Sequence, residues 1–161
     1  MEKKFHYSVY GVGPLCVYTM VAMFLAAIVL HYLGYLASGS VPKLQIPMCM
    51  VGVMLVGFGI YLWIRAVLVD RVGDEILSNH LLTTGVYAWV RNPIYSAVAI
   101  ALTGAALLWH NLWMLVLPVL FWLDITVLMI CTEEKWLQNL YGEKYSAYCR
   151  RVNRCIPWFP K

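Results

Sequence analysis

A chain of 161 residues that is 62% hydrophobic and 12% charged, with a mean hydropathy of +0.71, has room for one domain and lies outside the range of soluble globular proteins. Its net charge of +4 comes from basic residues beside apolar runs, the pattern of a rim facing anionic headgroups and not of a nucleic-acid surface. The five cysteines have no paired metal spacing and read as free thiols, so no metal is expected.

Charged residues are missing from Phe5 to Pro42, from Leu44 to Ile64 and from Asn92 to Leu123. A spanning helix needs roughly 20 apolar residues. The first two stretches therefore hold one span each, and the third, extended past Asp124, holds two. The expected spans are Gly13–Leu36, Ile46–Val69, Pro93–Trp109 and Leu112–Cys131. The fold class expected is an all-α integral membrane protein of about four transmembrane helices followed by an interfacial amphipathic helix.

The first apolar run is long and has no small-residue cleavage site after a short core, so it reads as a span and not as a cleavable leader. The second carries Gly52, Gly57 and Gly59. Like Ala26 and Ala27 in the first, these small residues let helices approach closely, so residues 1–70 read as scaffold. Of the basic residues, Lys3, Lys4, Arg65, Arg71, Arg91, Lys135, Lys144, Arg150, Arg151, Arg154 and Lys161 fall on one side of a four-span topology, and Lys43 on the other. The positive-inside rule then places both termini and the Val69–Asn92 loop in the cytoplasm.

Chemistry concentrates in the second half. The loop from Ser78 to Pro93 is polar and aromatic, and Asn92-Pro93 is a strong helix start: Asn is expected to supply a cap oxygen and Pro a pre-set φ. The positive end of that helix, with its free N–H groups, suits a carboxylate. Asp124 is an ionisable group inside a span, which reads either as functional or as structural, protonated or paired with Arg65. At the end of the fourth span Glu133 and Glu134 stand ~100° apart on a helix, so one of them is expected to face the protein. Beyond them Tyr141, Tyr145, Tyr148 and Val152 recur at helical spacing against Lys144, Arg150, Arg151 and Arg154. This is the pattern of an amphipathic helix on the cytoplasmic leaflet.

The run His80-Leu81-Leu82-Thr83-Thr84-Gly85-Val86-Tyr87-Ala88-Trp89-Val90-Arg91-Asn92-Pro93-Ile94-Tyr95 resembles a segment of the isoprenylcysteine carboxyl methyltransferase family. So do Gly104 and Asn111 in their distances from Arg91, the element Glu133-Glu134-x-x-Leu137, and Tyr141-Gly142-Glu143-x-Tyr145-x-x-Tyr148. The resemblance covers about 78–157, which becomes the expected cofactor-binding half of a single 1–161 domain. It implies a methyltransferase using S-adenosyl-L-methionine, with His80, Leu81, Leu82, Tyr87, Asn92, Pro93, Ile94, Tyr95 and Glu133 around the cofactor. Arg91 and Glu133 are the expected catalytic pair.

This chain has Asn92 where the family commonly has His. It has Met129 where the eukaryotic enzymes have an arginine that handles the substrate carboxylate, with Asp124 further back on the helix. Asp124 and Met129 are therefore the candidate acceptor-side residues. The expected partner is a lipophilic or lipidated carboxylate, thiol, amine or phenol arriving from the bilayer. A membrane reductase of the sterol type, binding NADPH, and a non-catalytic four-helix adaptor are the alternatives.

Overall fold

The fold is taken from a computed structural model that describes residues 13–70 and 81–159. Helix α1 is Gly13–Tyr32 and α2 is Gln45–Ile64, which runs on through a π turn, Arg65–Val69. Helix α3 is Pro93–Leu107, α4 is Val116–Cys131, and two short helices follow, α5 at Glu133–Tyr141 and α6 at Glu143–Arg151.

Gly13–Tyr32, Pro42–Val69 and Leu112–Cys131 are long and apolar enough to cross a membrane, so the all-α membrane fold read from hydropathy holds. The third expected span is shorter than the others. Its 15 residues reach roughly 22 Å at ~1.5 Å per residue, less than the ~30 Å hydrocarbon core. Pro93 fixes where it begins, and the chain turns after Leu108 through His110, whose φ is +49°. Exposed apolar residues such as Met50, Val53, Met54, Val119 and Val127 have lipid as their solvent.

Small residues set the α2–α3 contact. A Cβ at Gly52 would sit 2.7 Å from the Gly104 carbonyl oxygen, one at Gly104 2.5 Å from the Gly52 carbonyl, and one at Gly59 2.7 Å from the Ala97 carbonyl. Backbones this close are what glycine permits. Gly57 differs, because open space surrounds its missing Cβ. Gly104→Ala is therefore expected to destabilise the protein by ~1–3 kcal/mol, since backbone and not a movable side chain blocks the methyl. Gly57→Ala should leave stability unchanged or raise it. Thermal unfolding in detergent distinguishes them, and equal midpoints for the two variants would contradict this packing.

The helices alternate in direction. At one end the buried Asn111 side chain donates to the Leu36 carbonyl at 2.7 Å and accepts from the Trp113 N–H at 2.9 Å, while the Val41 N–H reaches the His110 carbonyl at 2.8 Å. These bonds tie the α3–α4 turn to the α1–α2 link. The core inside α1, α3 and α4 is built on Cys16, Met20, Phe121, Ile125 and Met129.

Past α4 the amphipathic segment is present but is not one helix. Thr132 (φ −129°, ψ −84°) breaks it from α4, and Gly142 at φ +53° breaks it again. Tyr145, Tyr148 and Val152 turn inward, packing on Leu81, Leu137 and Tyr141, while Lys144, Arg150 and Arg151 stay exposed.

Candidate active site

The start of α1, the π turn after α2, the start of α3 and the end of α4 converge at the other end of the bundle. Asp70, after the π turn, organises the loop there. Its carboxylate accepts the Val86 N–H at 2.8 Å and lies 3.8 Å from Arg65. Gly85 takes φ +60° beneath it, where a Cβ would collide with that carboxylate. The short helical turn Gly85–Ala88 then buries Val86 and Tyr87. Burial, helped by nearby Tyr148, Asp70 and Glu133, pushes the Tyr87 phenol above its ordinary value, so it stays protonated. The Tyr148 hydroxyl donates to the Tyr87 carbonyl at 2.6 Å, docking α6 on the loop.

The paired carboxylates divide. The Tyr95 hydroxyl donates to Glu133 Oε1 at 2.9 Å. Glu134 takes the other direction: Arg154 grips it through Nε–Oε1 at 2.6 Å and Nη2–Oε2 at 3.0 Å, and Arg91 Nη1 lies 3.2 Å from Oε1. The Arg91 N–H also reaches the Asn153 carbonyl at 2.8 Å, and the Trp158 N–H the Trp89 carbonyl at 3.0 Å. The segment after α6 is thereby fastened along the start of α3.

Asn92 does not cap α3 with its side chain. It donates through Nδ2 to the Arg154 carbonyl at 3.1 Å, so Asn92 offers the first-turn N–H groups of α3 no side-chain acceptor. The local sequence favours a cap, but the returning chain offers the amide a carbonyl and turns it away from its own helix.

Of the residues expected around the cofactor, Tyr95 and Glu133 are in direct contact, and Tyr87 lies close enough to both to be shifted by Glu133. Pro93 is buried, Leu82 and Ile94 pack on the Leu62–Val86–Val90 cluster, and Leu81 packs on Tyr145. His80 lies outside the described residues. Met129 is wholly buried in the core. Asp124 pairs not with Arg65 but with α1, accepting from Thr19 Oγ1 at 2.7 Å and Cys16 Sγ at 3.7 Å. Cys16, Thr19 and Asp70 carried no signal in the sequence, since the partners that place them at this site, Asp124 for the first two and the Val86 N–H for the third, are 16 to 108 residues away.

A cleft of about 340 Å³ opens beside this end, lined by Arg91, Trp122, Asn153, Arg154 and Trp158 among others. It includes none of the residues expected around the cofactor, and of the expected catalytic pair it includes Arg91.

Comparison with known proteins bears out the resemblance. The phospholipid methyltransferase family matches residues 47–144. Protein-S-isoprenylcysteine O-methyltransferase of Schizosaccharomyces pombe is 35% identical over 90 residues, 55% of this chain and 38% of that protein. Methanethiol S-methyltransferase 1 of Bradyrhizobium diazoefficiens is 32% identical over 89 residues, 54% of this chain and 30% of that protein. The match thus spans about a third of the length of either relative. No solved structure matches the chain.

Proposed function

Because the chain belongs to the phospholipid methyltransferase family, we propose that it is a membrane methyltransferase that takes its methyl group from S-adenosyl-L-methionine and passes it to a lipophilic acceptor at the cytoplasmic face. The observation that carries this reading is the meeting of Glu133, Tyr95 and the start of α3, which the Asn92 side chain does not cap, at one end of the bundle.

The residues present fit the cofactor. Its ammonium suits the Glu133 carboxylate, its carboxylate the first-turn N–H groups at Ile94 and Tyr95, and its sulfonium the faces of Tyr87 and Tyr95. When bound it would supply an electrophilic methyl group. The chain's part is to hold, orient and exclude water, so proximity and desolvation are the main terms. Tyr87 and Tyr148 are buried phenols held above their ordinary values, chiefly by desolvation, and so are not bases near neutral pH. Neither phenol therefore takes a proton from the acceptor. A carboxylate is nucleophilic as it stands, whereas a thiol, amine or phenol becomes so once its proton has passed to water or to another group. The named relatives act on an isoprenylcysteine oxygen and on methanethiol sulfur respectively, and the exposed apolar helix faces suit an acceptor arriving from the bilayer.

Isothermal titration of detergent-purified protein is expected to show binding of S-adenosylhomocysteine and none of NADPH. Binding of NADPH alone would replace this reading with a reductase, and binding of neither would leave a non-catalytic membrane protein. For the orientation, a maleimide applied outside intact cells should leave Thr84→Cys unlabelled and should label it after permeabilisation. Labelling from outside would invert the topology.

A further inference from the structure

The cleft beside α4 has a polar end and an apolar end. Arg91 and Arg154 lie at the first, and the single carboxylate they share, Glu134, does not line the cleft, so two guanidinium groups face one counterion. The Arg91 side chain is only 9% exposed; its Nη1 is taken by Glu134 and by the Cys149 thiol, and its buried Nε has no hydrogen-bond partner among the described residues. A buried N–H without an acceptor is costly, and a cation with spare donors is a place for an oxyanion.

The apolar end is formed by Trp122, Ile156 and Trp158, which are 45%, 60% and 63% exposed. Trp122 lies about two and a half turns before the end of α4, roughly 14 Å below that end at ~1.5 Å per residue and so on the hydrocarbon side of it. A soluble anion would fill the first end and leave the second bare. The two ends together match a molecule with an anionic head and an apolar chain.

We infer that this cleft, with Arg91, Arg154 and Trp158 at the rim and Trp122 below, is a binding site for an anionic phospholipid. The phosphate accepts from the arginines and one acyl chain lies along α4 over Trp122. Such a site stands whether or not the chain transfers methyl groups.

Tryptophan quenching by lipids brominated on their acyl chains, with the protein in nanodiscs, tests it. Brominated phosphatidylglycerol should quench at lower mole fraction than brominated phosphatidylcholine, by on the order of tenfold for a charge-assisted contact. Arg154→Gln should bring the two lipids level. Trp122→Phe, which leaves every charge in place, should remove most of the excess quenching even if Arg154→Gln folds poorly. Equal quenching of the parent by both lipids, or an excess that survives in Trp122→Phe, would overturn the assignment. Displacement by glycerol phosphate as readily as by unbrominated phosphatidylglycerol would give the site to a soluble anion. Displacement by S-adenosylhomocysteine would make the cleft part of the cofactor pocket. Either result also overturns the assignment.

Discussion

Glu133→Gln is expected to weaken S-adenosylhomocysteine binding roughly ten- to hundredfold, the equivalent of ~1.5–3 kcal/mol for a charge-assisted hydrogen bond in a partly desolvated pocket. Glu133 stands at the break between α4 and α5, half-buried, with Oε1 accepting the Tyr95 hydroxyl at 2.9 Å. Glutamine keeps the shape of the side chain and an oxygen for Tyr95, so the substitution removes the charge and little else. Titration calorimetry on the folded variant gives the answer directly. An unchanged affinity would show that the ammonium of the ligand does not meet this carboxylate, and the pocket would have to be sought elsewhere.

Glu134→Gln should fail in a different way, through stability. Its carboxylate, with the side chain 17% exposed, is held by two arginines: Arg154 through both oxygens and Arg91 at 3.2 Å. The bond to Glu134 raises the Arg154 guanidinium above its already high ordinary value, so it stays charged at any working pH. Glutamine offers one oxygen and no charge, and leaves Arg91 cationic with its side chain only 9% exposed.

Removing one partner of a buried pair costs ~3–5 kcal/mol. Solvent at Arg154, 26% exposed, screens part of this, and the expected loss is therefore near the lower end, ~3 kcal/mol. The chain segment after α6 hangs on the same clamp, through the Arg91 N–H to Asn153 and the Asn92 amide to the Arg154 carbonyl. Thermal unfolding in detergent should drop clearly below the parent. Limited proteolysis should release the C-terminal segment first. A parent-like midpoint with reduced S-adenosylhomocysteine affinity would mean that the roles of the two glutamates are exchanged.

Hydropathy, charge spacing and punctuation determined that this is a membrane protein of apolar helices, with a polar loop before Pro93 and a basic amphipathic tail. These properties belong to consecutive residues: an apolar run long enough for lipid must become a helix, because nothing else satisfies its backbone there. The close packing of Gly52 and Gly59 was legible for the same reason, as a rule about small residues in membrane helices, although only packing showed that Gly57 takes no part in it. The 100° step between Glu133 and Glu134 required the two side chains to diverge.

Which glutamate meets Tyr95 and which meets the arginines was decided by the break at Thr132 and by the return of residues 152–158 past Arg91, neither of which is encoded locally. Tertiary structure alone turned Asn92 from a cap into a donor for the Arg154 carbonyl. It also gave Asp124 the Thr19 and Cys16 side chains of α1, and set Asp70 under Gly85. Partners 16 to 108 residues apart meet only when helices have chosen their neighbours, a choice made by shape and burial summed over the whole bundle.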